Sequence, residues 1–280
     1  GYLTPLSIEA IANARRLGYD AIEASVGWLD ATTLPEIEAN LSRLSDALAE
    51  HHVGVTAVAA DGDTIGAPAA EAIAHWGRAM GVARALGCEV VAGMTGRDNA
   101  RTVVENLPLF RERFAPIARR AEDEGVRLAF EPWPGSVLGH GPYRWANLAT
   151  TPELWDILFS EVPSPALGLE YDPSHLVWQG IDHLQAIHEY GERIYHVHAK
   201  DIVVDRARLG RVGVHGRGWW RFVVPGLGDI DWPALFRALR LVGYAGDIAF
   251  EHEDRVYLNE RWDEGLTLGL RFLRPLVEAY

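Results

Sequence analysis

The sequence is short of cysteine and lysine, and it has no long apolar run. Its one cysteine, Cys88, excludes an internal disulfide and suits a reducing, cytoplasmic setting. No apolar stretch reaches the ~18 residues that a spanning helix needs, so a membrane is not an expected partner. Basic side chains are outnumbered: 26 Lys and Arg against 39 Asp and Glu give a formal charge of -13. Such a surface repels phosphate backbones and anionic lipid, which disfavours nucleic acid as a partner. Of the 26 basic residues only Lys200 is lysine. A compact ammonium and a planar guanidinium differ in geometry, so Lys200 either stands where arginine cannot serve or reflects coding bias alone. The chain starts at Gly1 rather than Met, so an upstream segment is expected to be missing.

What is present is a globular composition, 48% hydrophobic and 23% charged. A length of 280 residues is long for one ordinary domain and typical of one α/β barrel. Short runs rich in Val, Ile, Leu or Phe, bounded by Gly or Pro, predict strands at 20–25, 53–59, 89–94, 127–132, 166–172, 193–200 and 247–251. Amphipathic patterns predict helices at 7–17, 34–51, 68–86, 99–124, 152–159, 182–190, 232–242 and 259–279. Asp231 and the Thr151-Pro152 pair suit helix N-termini. Gly18, Gly54, Gly87, Gly125, Gly191 and Gly243 suit left-handed helix ends.

Strict alternation with right-handed crossovers implies a parallel sheet. The expected fold is a single-domain (β/α)8 TIM barrel over residues 1–280, with strand 1 at or upstream of the N-terminus. An open doubly wound sheet is disfavoured, because no Gly-rich phosphate fingerprint follows an early strand. The segment 201–231 is expected to be a long irregular loop on the mouth where barrels carry their chemistry.

Strand C-termini meet at that mouth, and four of them carry unusual groups. Glu131 ends an apolar strand, where a rim carboxylate paired with arginine is the plainer alternative. Asp172 ends another, and His175 follows across a proline turn; Asp-Pro alone is an ordinary turn starter. In His196-Val197-His198-Ala199-Lys200, period-two alternation puts both histidines and the lysine on one face. His196 reads as a satisfied core histidine and His198, nearer the mouth, as a ligand. Glu251 and Glu253 share a face; Glu251 is nearer the strand, while Glu253 and Asp254 read as solvated rim charges. Three carboxylates converging without partners would repel, and one or more would stay protonated. A divalent cation removes that conflict. Three carboxylates and one imidazole suit Mn²⁺, Mg²⁺ or Co²⁺, and Zn²⁺ less naturally. The alternative, a buried salt-bridge cluster, lacks basic partners on those strand ends apart from Lys200.

These motifs, with Pro225-Gly226-Leu227-Gly228-Asp229-Ile230-Asp231-Trp232 and Gly18-Tyr19-Asp20-Ala21-Ile22-Glu23, resemble the xylose isomerase-like TIM-barrel superfamily, the sugar phosphate isomerase/epimerase group. The resemblance runs over essentially the whole chain. It implies that Glu131, Asp172, His198 and Glu251 bind one divalent metal, with Mn²⁺ expected first, and that Glu131 and Glu251 exchange protons with substrate from opposite sides. It implies a metal-dependent sugar isomerase or epimerase working next to the carbonyl of a keto-sugar through a metal-stabilised enediolate. The same parts would serve a dehydratase or lyase on a keto-inositol or 3-keto-glycoside. His175 corresponds to a substrate-contacting histidine, and Arg221 is the candidate for a substrate-binding arginine, with Arg206, Arg208, Arg211 and Arg217 in the same loop.

Lys200 is counted with His175, Arg221 and Trp133 among the substrate-binding residues and is expected to donate to a ligand carboxylate, and Asp201 is expected to fix the loop. Trp133, Trp219, Trp220 and Tyr143 are candidates for stacking on sugar faces, with plain loop packing as the alternative. An apurinic endonuclease would need more histidines at the second and third strand ends, and a non-catalytic sugar-binding protein would not need all four ligands. A homo-oligomer is an expectation from the resemblance alone.

Overall fold

The computed structural model describes residues 1–28, 33–135 and 146–279. In chain order the elements are β1 (Leu3–Pro5), α1 (Ile8–Leu17), β2 (Ala21–Ser25), α2 (Thr33–Ala39), α3 (Leu41–His51), β3 (Gly54–Ala59), α4 (Ala69–Ala85), β4 (Val90–Gly93), α5 (Val103–Glu124) and β5 (Arg127–Phe130). They continue with α6 (Pro152–Glu161), β6 (Leu167–Tyr171), α7 (Pro173–Gln179), α8 (His183–Tyr190), β7 (Ile194–Ala199), β8 (Asp201–Val204), α9 (Arg206–Val212), β9 (Trp220–Val223), α10 (Trp232–Leu241), β10 (Ile248–Phe250) and α11 (Trp262–Glu278). Eight strands pair in parallel in the order β1-β2-β3-β4-β5-β6-β7-β10. The ring closes where Tyr2 bridges Phe250 in parallel and the Phe250 N–H donates to the Gly1 carbonyl at 2.9 Å. The (β/α)8 barrel is therefore as expected, and its first strand lies at the N-terminus, a few residues inside the chain.

Local chemistry explains most boundaries. Ser7 caps α1 by accepting from Ala10 N–H, and Gly18 ends it at φ 90°. Thr102 and Glu105 form a reciprocal capping box on α5. Two expected glycine caps differ. The left-handed residue after α3 is His52, with Gly54 opening β3 instead, and Gly191 is right-handed. The helix expected over 34–51 is two helices, α2 and α3, meeting at Asn40. The segment after β7 is not irregular. β8 and β9 pair antiparallel outside the barrel, with α9 between them.

Asp201 anchors this excursion, as expected. Its buried carboxylate accepts from the backbone N–H groups of Ile202 (2.8 Å), Gly226 (2.9 Å), Gly228 (3.2 Å) and Ile230 (3.2 Å), and from Trp232 Nε1 (2.8 Å). Gly228 is required there: a Cβ would sit 2.2 Å from Asp201 Oδ1 and 2.5 Å from the Ile202 carbonyl. Asp201→Ala leaves several buried donors unmade, so a loss of about 3–5 kcal/mol is expected. Urea denaturation checks this; a loss below about 1 kcal/mol would mean that water replaces the carboxylate.

The core between barrel and helices is aromatic around α4 and α5. Phe114 meets Trp76 edge-on at 5.7 Å and Phe130 at 5.0 Å. His75, on α4, is buried with Nε2 unpartnered among the described residues. Burial, and then the charge of Arg78, push its pKa below the ordinary 6.5. The folded state thus favours neutral His75, so its stability is fullest above the ordinary value and falls as pH drops through it. His75→Leu is expected to flatten stability between about pH 7 and 5; equal slopes in both proteins would refute the assignment.

Candidate metal centre and active site

The site is built by alternation along four neighbouring strands. Glu131 follows β5, Asp172 follows β6, His198 lies in β7 and Glu251 follows β10. Glu131, Asp172 and His198 are buried and Glu251 nearly so, and one ligand-type atom from each lies within 4.8 Å of the others. These are the four positions expected from sequence. His198 Nδ1 is 3.1 Å from Glu251 Oε2 and 4.0 Å from both Glu131 Oε1 and Asp172 Oδ2.

Asp172 also caps α7, a short helix where the sequence suggested a turn. Its Oδ1 accepts from Ser174 N–H (2.8 Å) and Ser174 Oγ (2.7 Å). The cap fixes the carboxylate and leaves Oδ2 facing the cluster. Asp172 Oδ2 and His198 Nδ1 are both buried, and neither makes a hydrogen bond among the described residues. Buried polar atoms seldom lack hydrogen bonds, and an imidazole nitrogen facing carboxylate oxygens, Glu251 Oε2 at 3.1 Å first among them, suits a divalent cation between them.

The other side of His198 is held by residues that the sequence reading did not select. Its Nε2 is 2.7 Å from Glu23 Oε2 and 3.2 Å from Glu170 Oε1. A carboxylate on Nε2 fixes the tautomer with its lone pair on Nδ1, facing the cluster. Glu170 also meets His196 Nδ1 at 3.0 Å, so His196 is a core histidine as expected, but satisfied on one side only, since its Nε2 makes no hydrogen bond among the described residues. Glu23, Glu170, His196 and His198 form a second, fully buried group beneath the first. A signal existed for both carboxylates: Glu23 interrupts an otherwise uncharged strand, and Glu170 shares the strand face of Asp172 two residues later.

Lys200 is buried and reaches Asp172 Oδ2 (3.2 Å), Glu251 Oε2 (2.5 Å) and Glu253 Oε2 (3.2 Å). His175 Nε2 lies 3.1 Å from Lys200 Nζ, 3.3 Å from Glu131 Oε1 and 3.5 Å from Asp172 Oδ2. Burial opposes charge on Asp172, yet the charges of Lys200, His175 and His198 hold its pKa down at about 2. Burial likewise opposes charge on Glu23, and His198 and His196 outweigh it, again at about 2. Glu170 is pushed well up by burial and by the charge of Glu23. Asp61, beyond β3, is pushed up to about 8 by burial and by Glu131, Glu23 and Glu251. Lys200 and the neighbouring histidines face Glu23, Glu131, Glu170, Asp172 and Glu251, and a cation would neutralise the surplus of carboxylate.

The remaining expectations divide. Trp133 lines the pocket of about 160 Å³ at the cluster, with Trp28, Asp61, His175 and Lys200. Arg221 does not line that pocket. It lies on β9, exposed, in an adjoining cavity, with Nη1 3.8 Å from Asp254 Oδ1. Trp219 is 1% exposed and so cannot stack on a sugar; its Nε1 donates to the Gly216 carbonyl and it packs edge-on against Trp178. Trp220 stacks on Trp178 at 5.1 Å and lines the adjoining cavity. Asp254 is not a solvated rim charge: it is buried and accepts from Val224 and Val256 N–H. Tyr143 lies outside the described residues.

A xylose isomerase-like TIM barrel family model matches residues 11–276. The chain belongs to this family. Among curated relatives, the inosose dehydratase of Geobacillus thermodenitrificans is 36% identical over 118 residues, 38% of this chain and 37% of that protein. The aligned stretches span about a third to a half of the curated relatives' length, from 32% to 48% in the first three. Among solved structures, 3-keto-D-glucoside 4-epimerase YcjR from E. coli has a TM-score of 0.73 at 18% identity, covering 98% of each chain. The IOLI protein with a bound zinc atom has a TM-score of 0.71 at 20% identity, covering 99% of this chain and 94% of its own. At these identities the structures share the fold. No helix among the described residues is long and apolar enough to cross a membrane.

Proposed function

We propose that the protein is a divalent-metal-dependent sugar isomerase or epimerase that moves a proton next to the carbonyl of a keto-sugar. The observation that carries this reading is the convergence of Asp172 Oδ2, His198 Nδ1, Glu131 and Glu251 at the barrel mouth, with neither Asp172 Oδ2 nor His198 Nδ1 hydrogen-bonded among the described residues. Glu131, Asp172, His198 and Glu251 would hold the cation, with Mn²⁺ expected first from a donor set rich in oxygen. A cation there supplies electrophilic stabilisation of negative charge developing on the carbonyl oxygen.

The rest is done by side chains of this chain. Glu131 and Glu251 enter from the two ends of the arc β5-β6-β7-β10. Each carboxylate has two oxygens, so one can face a cation while the other takes or returns a proton. Removal by one and return by the other inverts the carbon. His175 holds Glu131 and Lys200 holds Glu251, which keeps both carboxylates aimed inward. Trp28 and Trp133 present apolar surface to a sugar ring in a small pocket.

A second reading is favoured by the sequence relatives named inosose dehydratase. With a hydroxyl β to the carbonyl, proton removal by one carboxylate and proton delivery to the departing hydroxyl by the other would eliminate water from a keto-inositol. One experiment separates the readings. Protein stripped of metal and reloaded with Mn²⁺, Mg²⁺, Co²⁺ or Zn²⁺ is given ketoses, keto-inositols and 3-keto-glycosides in D₂O. Metal-dependent deuterium uptake at a carbon α to the carbonyl is expected, and product resonances then distinguish epimer, isomer and dehydrated ketone. Absence of uptake with every metal and substrate, in protein that binds metal, would refute the reading.

A further inference from the structure

The pocket at the cluster is small, about 160 Å³, below the usual range for organic ligands. Beside it is a cavity of about 540 Å³, and the two share Trp133 and Glu253 in their walls. The cavity lies between the excursion after β7, which the barrel does not need for closure, and the segments that follow β5 and β10. Its walls hold Trp220 and Phe222 of β9, with Arg217, Arg221 and Arg255 at the rim. The one acidic wall residue, Glu253, already faces Lys200 at 3.2 Å. Arg255 makes no hydrogen bond or ion pair among the described residues, and Arg221 stands 3.8 Å from the buried Asp254, itself tied to backbone N–H groups. A concentration of arginine in a chain of formal charge -13 needs a reason. Solubility does not supply one, and guanidinium forks match carboxylate and phosphate oxygens.

We infer that this cavity is a second subsite, and that the substrate is a glycoside whose far unit carries a carboxylate or phosphate held by Arg221 and Arg255. The inference rests on the proposed sugar chemistry at the cluster for the identity of the near ring. The near ring would fill the small pocket against Trp133, and the far unit would lie along Trp220 and Phe222, with its anionic group at the arginines. Neither ring needs to leave the continuous wall that the shared residues provide.

The test reads binding rather than turnover, so it is independent of the reaction. Isothermal titration compares four probes on the full chain: methyl β-glucoside, methyl β-cellobioside, the same disaccharide with a distal glucuronate, and the same disaccharide with a distal 6-phosphate. At least one anionic disaccharide is expected to bind about tenfold tighter than cellobioside, and the better of the two identifies the anion. Arg221→Met and Arg255→Met should each remove most of that preference, with thermal melting checking that the fold survives. Arg221→Lys should restore only part of it, because a point charge lacks the fork. Equal binding of neutral and anionic disaccharides, or a preference unchanged in both methionine variants, would overturn the subsite. Loss of deuterium exchange with the arginine-dependent preference intact would instead overturn the reaction and leave the subsite standing.

Discussion

Glu131→Gln and Glu251→Gln are each expected to slow inversion of the carbon by about 10²–10⁴-fold. The substitution is isosteric. It keeps a side-chain carbonyl oxygen at the position but removes the group that can accept a proton. Each variant should still fold, because neither carboxylate caps a helix or ties down backbone. The backbone at Glu131 is held independently, by its N–H to the Gly93 carbonyl at 3.1 Å and by Asn147 Nδ2 to its own carbonyl at 2.7 Å. The two variants should differ in what remains. If one carboxylate removes the proton and the other returns it, one variant loses wash-in from solvent while the other keeps partial exchange without inversion. Measuring exchange and inversion separately therefore assigns the roles. Both variants within about tenfold of the parent in exchange would mean that some other group is the base.

The ligand-type residues were legible because each breaks a local rule. Glu131 stands at the end of an apolar strand, and His198 and Lys200 share a strand face that could have been Val or Ile. The barrel was legible from alternation, which is local. What escaped depends on tertiary partners. Glu23 sits in Ala-Ile-Glu-Ala-Ser, and nothing local says that a histidine 175 residues later needs a carboxylate there. Asp254 reads as a rim charge until the β9 backbone folds back onto it. The β8–β9 pair was obscured because Arg and Gly between the strands look like loop, although Trp220-Arg221-Phe222-Val223 carries the aromatic and branched residues of a strand. Trp219 shows the opposite error: an aromatic in a mouth segment invites a binding role, and its burial against Trp178 leaves no face for a sugar.

Removal of metal should be visible as stability even when no substrate is known. A cation that binds the folded state and not the unfolded one adds about 2.7 kcal/mol at a concentration one hundred times its Kd. For a chain of this size that raises the melting temperature by roughly 5–10 °C, and a chelator should reverse it. Asp172→Asn is the sharpest variant. Asparagine still caps α7, since its side-chain oxygen can accept from Ser174 N–H, so the helix start should survive. What is lost is the anionic Oδ2 that faces His198 Nδ1 and Lys200. The variant should lose the metal-induced rise, measured against its own metal-free melting, which the broken ion pair with Lys200 lowers as well. Glu23→Gln should be milder, lowering metal affinity about 10–100-fold, because Glu23 meets the cluster through the imidazole of His198. The order of the three proteins in their metal-induced rise is the diagnostic, since a salt-bridge cluster without a cation would give no metal-dependent term to lose. A parent protein whose melting temperature ignores Mn²⁺, Mg²⁺, Co²⁺ and Zn²⁺ alike would favour that cluster, with Lys200 as its cation.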